Sequence, residues 1–363
     1  MSKNKSCAPC SDPSRLNKVG GQAVLEGVMM KAGERCVTSC RKEDGSITVN
    51  DGSFVSVRKN RKILNIPIVR GVINFVEMMI LSFKTLSVSA EALDIDSEKD
   101  KQRKAEGKKS MTDFVMIIGT VLGVALSVVL FIILPGYISD FVGFLFNKIG
   151  GITIHSTVKA IIEGFIKVGI FILYLSLVSL MPDIKRTFMY HGAEHKSIAC
   201  FEAGAELTPE NAKSYTRFHP RCGTSFMFVM ILLGIFVGII INNIFPTLPR
   251  WSLSLIRLGI LPLVVGIGYE FIMFAGKHPN PVTRALSAPG LWMQRITTKE
   301  PTEDMLEVAI ISIKCALRDE FPEFKEFFEN EGWLTEEQKA KGEETPENTT
   351  RPPINEDPEG AEQ

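Results

Sequence analysis

The segment Tyr190-His191-Gly192-Ala193-Glu194-His195-Lys196 holds the residue types and spacing in this chain best suited to chemistry. On a helix, His191 and His195 stand one turn apart on one face, so both imidazoles can reach one metal ion. Glu194 sits beside them, placed to polarise a bound water. The order His-x-x-Glu-His is that of the inverted zinc-peptidase motif, in which the two His ligate and the Glu is the base. Further along, His219-Pro220-Arg221-Cys222-Gly223 sets an imidazole and a thiol three residues apart, and Glu270 interrupts an apolar stretch shortly before His278.

Two metal arrangements follow. His191, His195, His219 and Cys222 would close a tetrahedral shell, which is the structural kind of site. Alternatively, His191, His195 and Glu270 would hold a divalent metal, expected to be zinc, with a position left open for water, which is the catalytic kind. Only the second gives Glu194 an evident task as general base. The plainer reading is a solvated or hydrogen-bonded helix face without metal and, for Cys222, a small buried side chain.

A second constellation is Gly20-Gly21-Gln22-Ala23-Val24-Leu25-Glu26-Gly27-Val28-Met29-Met30. Gln22 and Glu26 are four apart, so a helical or tightly turned segment would present both on one side, while the glycines permit close backbone approach. With Arg221 they are the candidate substrate-binding residues; the alternative is a Gly-rich connection into a β element. Cys7-x-x-Cys10 and Cys36-x-x-x-Cys40 form a sparser thiol pattern that could share a zinc ion. Lys159, Glu163 and Lys167 step by four through an apolar stretch, where they must pair, snorkel or line a polar interior.

The elements that position these residues are membrane helices. Phe114 to Pro135 and Ser225 to Pro246 are uncharged runs of 22 residues, long enough to cross ~30 Å of hydrocarbon. Val158 to Met181 and Leu253 to Gly276, the latter interrupted by Arg257 and Glu270, complete a set of four spans. Lys and Arg crowd the segment before the first span and the connection between the second and third, so both face the cytoplasm. His191, His195, His219, Cys222 and Glu270 therefore converge on the cytosolic membrane surface.

Ile66 to Ala92 is a fifth apolar stretch in which Arg70, Glu77, Lys84 and Glu91 recur every seven residues as one charged stripe. With basic residues at both ends, it reads as an interfacial segment or re-entrant helical hairpin, and a fifth crossing is the alternative.

The predicted fold is thus a membrane α-helical protein. Residues 1–19 are an N-terminal tail, and 20–62 a small cytosolic β element with Asp44-Gly45 and Asp51-Gly52 as turns. The interfacial or re-entrant helices occupy 63–93 and a charged linker 94–113. The four-helix membrane region is 114–276, with a His-rich cytosolic insert at 182–224. A cytosolic C-terminal region covers 277–334, loop-like through Pro289 with a helix over Thr302 to Leu317, and a tail rich in Glu, Pro, Asn and Thr covers 335–363. The N-terminus lacks an apolar core, so no cleavable signal is expected. Forty-one basic against 41 acidic residues disfavour a nucleic-acid partner, and seven scattered Cys disfavour a disulfide-stapled secreted protein.

In order along the chain, Gly21 to Met30, His191 to Lys196, and His219-Pro220-Arg221-Cys222-Gly223-Thr224-Ser225-Phe226 resemble the YqhQ-like family of bacterial membrane proteins. Tyr269-Glu270, Ala275-Gly276-Lys277, Pro289-Gly290-Leu291 and Thr297-Thr298-Lys299-Glu300-Pro301 extend the likeness, from about Gly20 to Arg318. The family is a domain of unknown function with the label of a predicted metal-dependent enzyme. The resemblance implies a bacterial inner-membrane protein with a metal and no assigned substrate. Taken with the motifs, the expectation is a multi-pass protein with cytoplasmic termini that hydrolyses a lipid headgroup or membrane-proximal peptide with metal-activated water. The runner-up is a membrane scaffold or transport-related protein with a structural or sensing metal.

Overall fold

The computed structural model describes residues 14–93, 111–278 and 281–324. The Cys7–Cys10 pair, most of the charged linker and the Glu-rich tail lie outside the described residues. Four strands, β1 (Val19–Val24), β2 (Gly27–Ala32), β3 (Arg35–Arg41) and β4 (Ile47–Ser53), form an antiparallel meander in sequence order. Gly20 to Met30 is therefore not a helical turn. It is the first hairpin, in register from Val19 opposite Ala32 to Val24 opposite Gly27, with Glu26 at φ +46° in its tight turn. Asp44-Gly45 turns as its chemistry requires: Gly45 takes φ +86° and the Asp44 carboxylate accepts from the Ser46 N–H at 2.8 Å. Asp51-Gly52 does not turn. It continues β4, where Asp51 accepts from Arg318 at 2.6 Å.

The sheet is the middle of three layers. On one face Val28, Met30, Val37 and Val49 pack with Leu306 and Ile310 of α10 (Glu303–Ala316) and with Tyr190 and Phe201 of α5 (Pro182–Glu202). On the other, Val24, Met29, Cys36 and Cys40 pack against Leu81 of α1 (Val69–Ala92). Covered on both faces, β2 reads as an unbroken apolar run instead of alternating.

Within Ile66 to Ala92, where the sequence suggested an interfacial segment or a re-entrant hairpin, Ile66 to Ile68 turn and Val69 to Ala92 form one unbroken helix. Pro67 precedes it and no Pro lies inside it, and Gly71 and Gly266 let α1 cross α8 (Arg250–Lys277) closely: a Cβ on Gly71 would stand 2.7 Å from Tyr269 Cβ. Ile68, at the start of α1, takes φ +71° to make that approach.

Among the described residues, five helices are long and apolar enough to cross a membrane: Val69–Ala92, Ile117–Gly150, Ser156–Val178, Phe226–Ile244 and Arg250–Ala275. The run expected to stop at Pro135 continues, because α2 (Met111–Val128) passes through a π-turn at Val129–Ile133 into α3 (Leu134–Gly150). Pro135 falls just after the π-turn, whose wider hydrogen-bond spacing accommodates a residue without an N–H inside a continuing helix. Next come α4 (Ser156–Val178), α5, a short α6 (Pro209–Lys213), α7 (Gly223–Ile244) and α8. α3 packs on α4, α4 on α7, α7 on α8, and α8 on α1. Residues before Pro289, expected as loop, belong to α9 (Pro281–Thr297), which starts on Pro281 and packs across α7 and α4. Its tertiary contacts override the weak helix signal of Pro289.

Candidate metal centre

α5 carries the His-x-x-Glu-His segment as the helix that the spacing required, and most of its second half is buried against the sheet and α10. The chain between α9 and α10 crosses it so closely that a Cβ on Gly192 would collide with the Lys299 carbonyl. That crossing is pinned by Lys299 N–H donating to the Phe188 carbonyl at 2.8 Å. It brings the Thr297 carbonyl within 2.9 Å of His191 Nδ1.

His195 has the same arrangement on its other side, with Nδ1 2.6 Å from the Arg217 carbonyl. A carbonyl oxygen only accepts, so Nδ1 holds the proton in both rings and each Nε2 is left with its lone pair. Arg217 is fixed in turn by Glu300 at 3.1 Å, and Glu300 also pairs with the buried Lys196. Burial works against ionisation of Glu300, but the Lys196 and Arg217 charges override it and hold its carboxyl below the usual range.

Cys222, the residue capping the start of α7, places Sγ 3.3 Å from His191 Nε2. Ligand atoms of His191, His195 and Cys222 all lie within 4.8 Å of one another. The His rings meet edge to face, 4.4 Å between centroids. Two imidazole nitrogens and a thiol form a donor set that zinc accepts, and three protein ligands leave a fourth tetrahedral position.

Glu194 is 5% exposed. Burial pushes its carboxyl up to about 7, against the influence of His191 and a hydrogen bond from the Gly21 backbone. One of its oxygens is buried without a hydrogen-bond partner among the described residues. Gly21 touches it directly: a Cβ there would stand 3.2 Å from Glu194 Cγ and 2.6 Å from the Met29 carbonyl. The glycine-rich strand thus reaches the His turn through Gly21, and not through Gln22 or Glu26. Gln22 bonds Thr85 and Ser82 of α1 at 2.5 and 2.6 Å. Glu26 pairs with Arg186 in two-pronged fashion and accepts from Tyr190 at 3.4 Å. Both residues tie layers together.

The other expected ligands diverge. Glu270 is outside the cluster: it accepts two bonds from Arg70, at 2.6 and 2.5 Å, and one from the Ile68 N–H at 3.3 Å. A carboxylate in an apolar helix takes the nearest cation, and α1 supplies one. His219 stacks obliquely beside His195 at 5.5 Å, yet its Nε2 stands 3.8 Å from Glu202 and 3.3 Å from Arg221. Burial opposes ionisation of Glu202, while bonds from His219 and the Asn17 N–H, with the Arg221 charge, hold its carboxyl low. Arg221 is thereby committed to Glu202.

The residues that sequence reasoning missed are those acting through backbone. Thr297 and Arg217 contribute carbonyls, which no side-chain pattern reveals. Buried Gln294 clamps His219 by accepting from its N–H and donating to its carbonyl, each at 2.8 Å.

A family profile described as "Protein of unknown function (DUF1385)" matches residues 66–319. The chain belongs to this family. It is also 36% identical over 308 residues to "Uncharacterized protein YqhQ" of Bacillus subtilis (strain 168), covering 82% of this chain and 92% of that relative. No solved structure matches. Family membership agrees with the likeness that the sequence motifs carry, and it assigns no reaction.

Proposed function

We propose that this DUF1385 protein is a zinc-dependent hydrolase of the bacterial inner membrane, with His191, His195 and Cys222 as ligands and Glu194 as general base. The observation that supports this most is the pair of imidazoles each tied through Nδ1 to a carbonyl, with His191 Nε2 3.3 Å from the Cys222 sulfur and one ligand atom of each of the three residues within 4.8 Å of the others. Cys222 replaces Glu270 as third ligand in this reading. Zinc held there supplies a Lewis acid and a water acidified toward neutral pH. Glu194, with a free oxygen and a carboxyl poised near 7, can take a proton and return it to a leaving group. Thr297 and Arg217 keep the rings from rotating. A lipid headgroup or membrane-proximal peptide remains the substrate class that fits a site at the membrane surface.

The same reading has four spans, cytoplasmic termini and α1 lying in the cytosolic interface. Gly71, Glu77, Leu81, Thr85 and Ser89 are buried along α1, while Phe75, Val76, Met79 and Ile80 are exposed and apolar, as suits a helix floated on lipid. A reporter joined after Ser110 is expected on the cytoplasmic side and one at Gly150 on the other. The reverse result removes the orientation.

A structural or sensing metal is the second reading, favoured by the closeness of His219 to His195. Elemental analysis with a complementation assay separates them. Zinc retained and function lost in Glu194→Gln supports the enzyme, whereas full complementation by that variant supports the scaffold.

A further inference from the structure

At the far end of α7 from Cys222, some twenty residues or about 30 Å of helix away, lies a second polar assembly. Arg250, at the start of α8, donates to both Asp140 oxygens at 2.8 and 2.5 Å and to Glu163 at 3.1 Å. Arg257, one face along α8, pairs with the same Glu163 and bonds Asn242 at 3.0 Å. The two arginines therefore use both carboxylates. Lys159 is left at the edge of the assembly, its ammonium 4.0 Å from Asp140. Three cations thus face two carboxylates.

The cations are held in place. Small residues on α3 receive them: Arg250 Cδ lies 3.0 Å from where a Gly136 Cβ would be, and Lys159 Cε 2.9 Å from that of Gly143. Between these residues opens a cavity of about 240 Å³, lined by Asp140, Ser156, Lys159, Asn242 and Arg250. On the other side of Arg250 runs an apolar groove of about 280 Å³, lined by Tyr137, Trp251, Ile133 and Leu255. An unbalanced cation beside a polar cavity at a helix end calls for an anion, and an apolar groove with Tyr and Trp beside it suits an acyl chain.

We propose that this assembly binds the phosphate of an anionic phospholipid, with Lys159 and Arg250 as its partners and an acyl chain in the Tyr137–Trp251 groove. The proposal rests on reading these helices as membrane-spanning, which recovery of the protein in carbonate-washed membranes tests by itself. Full-length protein in nanodiscs mixing phosphatidylglycerol and phosphatidylcholine is released and examined by native mass spectrometry. The wild type should retain phosphatidylglycerol about tenfold over phosphatidylcholine, as one charge-assisted contact predicts. Lys159→Gln should abolish that preference and Lys159→Arg keep it. Lys148→Gln, which alters another lysine beyond the cavity, should leave it unchanged. Equal loss in Lys148→Gln and Lys159→Gln, or no preference in the wild type, overturns the site. Displacement of the lipid by millimolar inorganic phosphate, dependent on Lys159, makes the ligand a soluble phosphate and overturns the lipid assignment. If Lys159→Gln fails to fold, wild-type retention and the Lys159→Arg comparison still decide.

Discussion

Two buried carboxylates at opposite ends of the bundle have opposite surroundings. Glu163 is enclosed by Arg250 and Arg257, and its oxygens are taken up. Glu194 is desolvated, with a backbone N–H and a histidine acting on its charge, and one of its oxygens has no hydrogen-bond partner among the described residues. A carboxylate matched to cations holds helices together. One that is desolvated and unmatched stays close to the protonation boundary, where exchanging a proton costs least.

The largest effects should come from the His turn. If the proposed zinc site is right, His191→Ala, His195→Ala and Cys222→Ser each lower bound zinc at least tenfold, since each removes one of three donors. Elemental analysis of purified protein reads this directly, and unchanged zinc in any one of them strikes that residue from the ligand set. Glu194→Gln should keep the zinc and reduce function by roughly 10²–10⁴-fold, the range for loss of a general base. Should the zinc leave with it, Glu194 is a ligand and the contrast with Glu163 is drawn in the wrong terms.

Glu163→Gln tests the other side of the comparison. Removing one member of a buried ion cluster typically costs about 3–5 kcal/mol, so thermal unfolding in detergent should show a large loss with zinc content unchanged. Stability equal to wild type would mean that Arg250 and Arg257 do not need that carboxylate.

The difference should also appear as pH dependence. With zinc removed by chelation, the Glu194 carboxyl titrates near 7 in the folded protein against 4.5 in its ordinary state. Because the folded form binds the proton more tightly, its contribution is complete below pH 4.5 and is lost as pH rises to about 7. The loss should amount to about 3 kcal/mol. Unfolding free energy of the chelated protein should fall across that window, and Glu194→Gln should flatten it. A wild-type curve that is level there would remove the argument from burial.

Much of this contrast was legible in the sequence. His191, Glu194 and His195 were readable because helical spacing alone puts them together, and Cys222 because it opens an apolar run. The hairpin at Asp44-Gly45 was readable from turn chemistry. Glu270 was misjudged because depth in a helix says nothing about which cation another helix will bring, and Arg70 lies 200 residues earlier. Residues 20–62 form the β element expected, with a tight turn at Glu26, but the strands of the Gly20–Met30 hairpin went unrecognised because β2 is covered on both faces and shows no alternation. α9 was missed because Pro289 and a short apolar face conceal a helix that only packing on α7 stabilises. The carbonyls of Thr297 and Arg217 had no signal at all.

The smallest effect separates the two ligand sets most cleanly. Glu270 and Arg70 form a two-pronged pair whose side chains are 25% and 36% exposed, so screening and solvent keep its contribution small. Glu270→Gln preserves the side-chain volume and can still accept from Arg70 and from the Ile68 N–H. It should therefore lower thermal stability only slightly and leave α1 docked on α8. If Glu270 were the third ligand, the same substitution would replace a charged donor by a weak amide oxygen and bound zinc would drop severalfold. Zinc content equal to wild type, measured beside an otherwise identical Cys222→Ser preparation that has lost it, assigns the third position to the thiol. The opposite pair of results returns it to Glu270 and leaves Cys222 as a small side chain at the start of α7.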